Sequence, residues 1–170
     1  ILQESFFKIL IPGITYTIPL TLVSFAFGLL IAIVVALIQV GHVRILTPIA
    51  RFYVWVIRGT PLLVQIFIIF YGLPNAGIVL NALPAAIIAF SLNVGAYASE
   101  TLRAAILSVP LGQIEAGYSL GMNYFQVLRR IILPQAFKVS VPPLFNSFIS
   151  LVKDTSLAAN ITVTEMFMVT

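Results

Sequence analysis

No Asp, Glu, Lys or Arg occurs between Lys8 and Arg44, and the stretch from Thr17 to Val40 inside that gap reads TIPLTLVSFAFGLLIAIVVALIQV. Such a segment exceeds the roughly 20 apolar residues that cross the hydrocarbon core of a bilayer, and it predicts one long or tilted membrane helix. The remainder of the chain agrees, because 61% of its 170 residues are hydrophobic, only 8% are charged, and the mean hydropathy is +1.12. A soluble domain carries about a quarter charged residues, and it could not hide so much apolar surface from water. A water-soluble globular enzyme is therefore excluded. The length allows about four or five spans with their loops and leaves no room for a separate soluble domain. The prediction is an all-α membrane protein, with residues 1–170 as a single transmembrane unit.

The nine basic and five acidic residues map the topology. A second span is expected from around Phe52 to Tyr71, with Arg58 inside it, and a third from Ala82 to Ser99, ended by Glu100 and Arg103. The connection carrying His42, Arg44 and Arg51 is assigned to the cytoplasm by the positive-inside bias, which puts the amino terminus outside and the uncharged connection Gly72 to Asn81 on the opposite side. The chain then returns to the cytoplasm. Residues Ile106 to Arg130 are too polar and too broken by Pro110, Gly112, Gly117 and Gly121 to cross. A fourth span is expected from about Ile131 to Val152 despite Lys138, Pro142 and Pro143, with Lys138 snorkelling from its first turns. Pro12 and Pro19 sit near the start of the first span. That span is too long for a signal peptide and no small-residue cleavage pattern follows it. With no initiating Met, the chain reads as trimmed at both ends.

The absence of cysteine removes disulfides, thiolate metal sites and cysteine catalysis, and one histidine does not make a metal cluster. The formal charge of +4 and the pI near 9.7 are read against the membrane, since no basic patch interleaved with aromatics supports nucleic-acid binding.

The cytoplasmic stretch from Glu115 to Pro134 reads EAGYSLGMNYFQVLRRIILP. A short helix with small residues on one face can lie closely in a groove of another protein, a flanking glycine lets the chain turn sharply, and Pro134 starts the next span. The stretch resembles the cytoplasmic loop of permease subunits of ATP-binding-cassette importers, whose pattern is E-A-A-x3-G-x9-I-x-L-P. Glu115, Ala116, Gly121, Ile131, Leu133 and Pro134 match, with Gly117 in place of the second alanine. The resemblance implies the type I importer fold, with a coupling loop over residues 107–134 and a coupling helix within Pro110 to Gly121 that docks on a separate ATPase subunit. Pro110, Gly112, Glu115, Ala116, Gly117, Gly121, Leu133 and Pro134 are its candidate coupling residues. RGTPLLVQ from Arg58, SLNVGAYASETLRAAI from Ser91 and KDTSL from Lys153 look like segments of polar amino-acid permeases, nearest to those for cystine or neutral polar amino acids. In that family a fifth span normally follows the position of Thr170.

An ionisable residue at membrane depth costs about 2.5–3.5 kcal/mol even on lenient scales, so it is a functional candidate by default. Asp154 either pairs with Lys153 or faces a water-filled path, where its carboxylate would receive the ammonium of an amino acid beside the hydroxyls of Thr155 and Ser156. Asn93 and Tyr97 lie four apart on one face of the third span, where they contact substrate or bond between helices; Gln65 has the same two readings. Glu100 and Arg103 are spaced for an i,i+3 ion pair. Arg58 has three readings: a pair with Glu100, a pair with Asp154, or snorkelling. His42 reads as a solvated loop residue, and Trp55, Phe67 and Phe70 as lipid-facing or packing groups.

The expected function is the membrane subunit of an ATP-driven importer of a polar amino acid, with cystine among the candidates, in the bacterial cytoplasmic membrane. It would work by alternating access with a second permease copy or close homologue, ATPase subunits and an external solute-binding protein. The chain lacks a G-x-x-x-x-G-K-[ST] loop, so it is not itself an enzyme and binds no cofactor, and ATP and Mg belong to the partner ATPase. The rival reading is an ATP-independent ion-coupled carrier or channel, which would have no use for the Glu115 to Pro134 knob. A membrane-embedded enzyme would need a serine, histidine and acid set, or a metal cluster, at a spacing that this chain does not offer.

Overall fold

The computed structural model describes residues 17–158 together with Ile161, and among these residues no strand occurs. Helix α1 runs Ile18–Val40, with Pro19 in its first turn, where a missing N–H costs nothing. Pro12 lies outside the described residues. The chain turns at His42, whose φ is 49°, and enters α2, Leu46–Gly59.

The expected second span is not one helix. It begins at Leu46 rather than near Phe52, and it breaks after Gly59, where Thr60 and Pro61 are extended with ψ of 138° and 140°. Helix α3, Leu62–Phe67, then continues through a wide turn, Ile68–Gly72, and a tight one, Leu73–Ala76. The two limbs are bent by 107°. Pro61 supplies no N–H to a continuing helix, and its ring pushes Thr60 out of the helical region, so the apolar run is interrupted by backbone chemistry rather than by polarity.

Helix α4, Ala82–Leu107, runs past the expected end at Ser99, because Glu100 and Arg103 neutralise one another within the helix through a 2.7 Å ion pair. The connector then forms α5, Leu111–Ser119, and α6, Tyr124–Val127, which passes through a wide turn, Leu128–Ile132, into α7, Leu133–Asp154. A 3-10 turn, Thr155–Ala158, follows. Helices α1 and α4 are each long and apolar enough to span a membrane, and the bent α2–α3 pair makes a third span if taken as one. Helix α7 has 22 residues, and its Gln135, Lys138, Asn146, Ser147 and Ser150 make it the least apolar of the long helices. It carries Pro142 and Pro143 in its interior and, unlike α1 and α4, is not apolar enough to count as a span by composition.

Helix α4 is the axis of the bundle. Ala85, Ala89, Phe90, Ala96, Ala98 and Ser99 on it are all 0% exposed. Small residues let neighbouring backbones approach closely, and two glycines carry the seam with α1. A Cβ on Gly28 would lie 2.6 Å from the Val94 Cβ, and one on Gly95 would lie 2.7 Å from Ile31 Cγ2 and 2.8 Å from the Tyr53 hydroxyl. That hydroxyl, on α2, donates to the Leu92 carbonyl. Ile66 of α3, Phe90 of α4, Leu151 of α7 and Ile161 share one core, and Phe25 meets Phe148 edge-on at 5.1 Å. Gly28 and Val94 lie near the midpoints of α1 and α4, so their contact marks half the height of the bundle.

Candidate functional site

At that height the bend between α2 and α3 faces α4 and α7 across a cavity of about 400 Å³. Its polar wall is made of Thr60 at the bend, Asn93 and Tyr97 on α4, and Asn146, Ser150 and Asp154 on α7. The last three are spaced four apart and so form one stripe of the helix. The structure thus brings together three sequence candidates, Asn93, Tyr97 and Asp154. Among the described residues Asp154 makes no ion pair with Lys153 or with Arg58. Arg58 instead lies over the Tyr97 ring, 5.2 Å from its centroid, and Glu100 and Arg103 form the expected i,i+3 pair.

Thr155 and Ser156 do not join this wall. The chain tightens into a 3-10 turn directly after Asp154, which folds both hydroxyls back on the preceding turn. Thr155 Oγ1 donates to the Val152 carbonyl at 2.6 Å and Ser156 Oγ to the Lys153 carbonyl at 2.8 Å.

Gln65 stands one step behind the cavity. Its Nε2 donates to the carbonyls of Ile57 at 2.7 Å and Thr60 at 3.0 Å and lies 2.9 Å from Thr60 Oγ1, while its Oε1 accepts from Asn93 Nδ2 at 3.2 Å. One amide therefore holds the carbonyls released at the Pro61 break and orients a cavity residue. Gln65→Leu would leave those groups unmatched, which costs about 1–3 kcal/mol. The expected result is a lower thermal midpoint in nanodiscs with transport impaired further than stability alone explains, while Gln65→Glu, which keeps only the acceptors, recovers neither.

At the other end of α4, the candidate coupling residues form an exposed knob. Pro110 starts α5, and Gly112, Glu115 and Ala116 are exposed on it, flanked by Leu111 and Leu120. Gly121 closes it at φ 78°, a conformation glycine adopts without strain. Gly117 faces inward rather than out to a partner groove. A Cβ there would lie 2.6 Å from Ile131 Cδ1 and 3.2 Å from Val127 Cγ2. Two positions of the motif thus touch each other, which gives an internal reason for their spacing. Gln135 of α7 donates to Gln113 of α5, and Asn123 and Gln126 form a reciprocal capping box between them. Leu133 and Pro134, both exposed, begin α7.

Residues 28–170 match the family described as Binding-protein-dependent transport system inner membrane component. The chain belongs to this family. It is 59% identical over 167 residues to the L-cystine transport system permease protein TcyB of Bacillus subtilis, a match covering 98% of this chain and 71% of that one. It is 41% identical to the octopine transport system permease protein OccM of Rhizobium radiobacter, covering 94% and 69%. Among solved structures, an amino acid ABC transporter crystallised with histidines shares the fold with a TM-score of 0.85 and 36% identity, over 94% of this chain and 76% of that one. The all-α importer fold and the permease resemblance that the Glu115 to Pro134 motif carried are thereby borne out.

In this inner membrane component, sequence reasoning missed Asn146 and Ser150. Their signal was available as the N-x3-S-x3-D period that ends in Asp154.

Proposed function

We propose that this chain is the membrane subunit of an ATP-driven importer of a polar amino acid, cystine being the substrate that the 59% identity to TcyB favours. The observation that carries the reading is the Asp154 carboxylate on a polar cavity at half-height, beside a broken helix, where transporters of alternating access place their sites. Asp154 receives the substrate ammonium, and Asn93, Tyr97, Asn146 and Ser150 hold its remaining polar groups. The amino terminus lies outside. Helix α5 lies in the cytoplasm against a separate ATPase subunit, which binds ATP and Mg. A second permease copy completes the path, and an external binding protein delivers substrate. ATP-driven closure of the ATPase pair displaces α5, rocks the spans and turns the cavity inward.

The test is substrate-stimulated ATP hydrolysis by the complete importer in nanodiscs, across a panel of amino acids. L-cystine is expected to raise turnover above the other members, and Glu115→Lys to abolish that stimulation, since it reverses the charge on the exposed face of α5. Solute flux without the ATPase subunits, unchanged by Glu115→Lys, would overturn the reading in favour of an ion-coupled carrier.

A further inference from the structure

A second cavity, of about 640 Å³, opens between the last turn of α1, the length of α2 and the α5-proximal half of α4. Its walls bring Arg51, Arg58 and Arg103 together with one carboxylate, Glu100, and with Gln39 and Trp55. Glu100 is already engaged, since its two oxygens accept from Arg103 Nη2 at 2.7 Å and from Arg103 Nε at 3.2 Å. Among the described residues Arg51 and Arg58 have no carboxylate within ion-pair distance. Gln39 is 5% exposed and turns its side chain to the Glu100 carboxylate, which also attracts Arg58. Cations at membrane depth are kept there by partners, and one carboxylate already shared by Arg103 and Gln39 does not meet the demand of three guanidiniums.

Arg51 and Arg58 therefore face one cleft and ask for the same complement, an anion with several acceptor oxygens. A phosphate group meets that demand, because guanidinium forks match its geometry. Arg51 lies in the second turn of α2 and Arg103 in the last turn or so of α4, roughly 6–8 Å from the helix ends, which is the depth of headgroups, and Arg58 stands about two turns further in along α2, at the inner end of the cleft. Trp55, on the cleft wall, is 71% exposed and pairs with Phe52, 64% exposed, at 6.1 Å. Aromatic rings at such a level line acyl chains, so the edge of the cleft suits an amphiphile better than a free ion.

We propose that this cleft binds a phosphate group, that of an inner-leaflet phospholipid whose chains run along Trp55 and Phe52. The leaflet follows from the orientation proposed above, whereas the phosphate chemistry is independent of it and of the transported substrate.

The test is lipid retention by the complete importer, purified from nanodiscs of phosphatidylcholine with or without phosphatidylglycerol and read by native mass spectrometry. The wild type is expected to retain phosphatidylglycerol selectively, and Arg51→Gln and Arg58→Gln to lower retention about fivefold each. Arg58→Lys, which keeps the charge, is expected to fall between, and an unchanged melting temperature in phosphatidylcholine alone shows that the variants fold. In a parallel arm, inorganic phosphate is added to the delipidated complex. Stabilisation of the wild type but not of the variants, without selective lipid retention, would keep the phosphate site and overturn its assignment to lipid. Equal retention of both lipids by the wild type with no response to phosphate, or undiminished retention by the folded double variant, would overturn the proposal.

Discussion

Gly95→Leu is expected to abolish recovery of folded permease. Its first added carbon would meet Ile31 Cγ2 at 2.7 Å and the Tyr53 hydroxyl at 2.8 Å, so the α1–α4 seam would part and the bond from Tyr53 to the Leu92 carbonyl would be lost with it. Overpacking alone costs about 1–3 kcal/mol, and close small-residue contacts are the main source of helix association in lipid, where no hydrophobic driving force remains between helices. The measurement is the monodisperse peak in detergent size-exclusion chromatography, followed by thermal unfolding. Gly59→Ala is the matched control, because a Cβ there meets nothing within 4 Å, and its midpoint should stay near that of the wild type. A normal elution profile and midpoint for Gly95→Leu would show that the seam is looser than the distances imply.

Asp154→Ala should instead leave the fold intact and remove transport. A hydrogen bond to a charged group is worth about 1.5–3 kcal/mol, so if Asp154 receives the ammonium as proposed, its loss lowers substrate-stimulated turnover about ten- to a hundredfold while basal ATP hydrolysis persists. Asp154→Asn, which keeps shape without charge, should resemble the alanine variant, and Asp154→Glu should retain part of the activity. Uptake of labelled amino acid into proteoliposomes reads this directly. Unimpaired uptake by Asp154→Ala would place the ammonium elsewhere in the cavity. Ser150→Ala, one turn away on the same stripe, should cost several-fold less, because a neutral hydroxyl contributes less than a charged acceptor.

The parts of the fold that follow from charge and apolarity were legible in advance, and those that depend on backbone chemistry or partner contacts were not. The gap between Lys8 and Arg44 announces α1, and the punctuated run after Ile106 announces the non-spanning α5. The Gly-Thr-Pro at residues 59–61 was visible too, but the apolar residues on both sides made one span look sufficient, although only a proline's missing donor decides there. Helix α4 ran past Glu100 because an ion pair three residues apart removes most of the penalty that a lone charge would carry. Gly28 and Gly95 were silent in one dimension, since a glycine demanded by a neighbouring helix looks like any other until that helix is in place. At the candidate site, Asn93, Tyr97 and Asp154 could be chosen by polarity at depth, whereas Gln65 shows its link to the bend only through its three-way bonding.

The contact of Gly117 with Ile131, reinforced by Gln113 and Gln135, clamps α5 to the foot of α7, and the stripe ending in Asp154 is carried at the far tip of that same helix. Mechanically this is a crank. With Pro142 and Pro143 inside it, α7 is a jointed arm of roughly 33 Å, and a tilt of ten degrees at its foot moves its tip by at most about 6 Å. If Asp154 receives the ammonium as proposed while Asn93 holds another polar group of the substrate, a small displacement at α5 draws the two walls of the cavity apart, so release needs no weakening of the site itself, only that those walls cease to share a pivot.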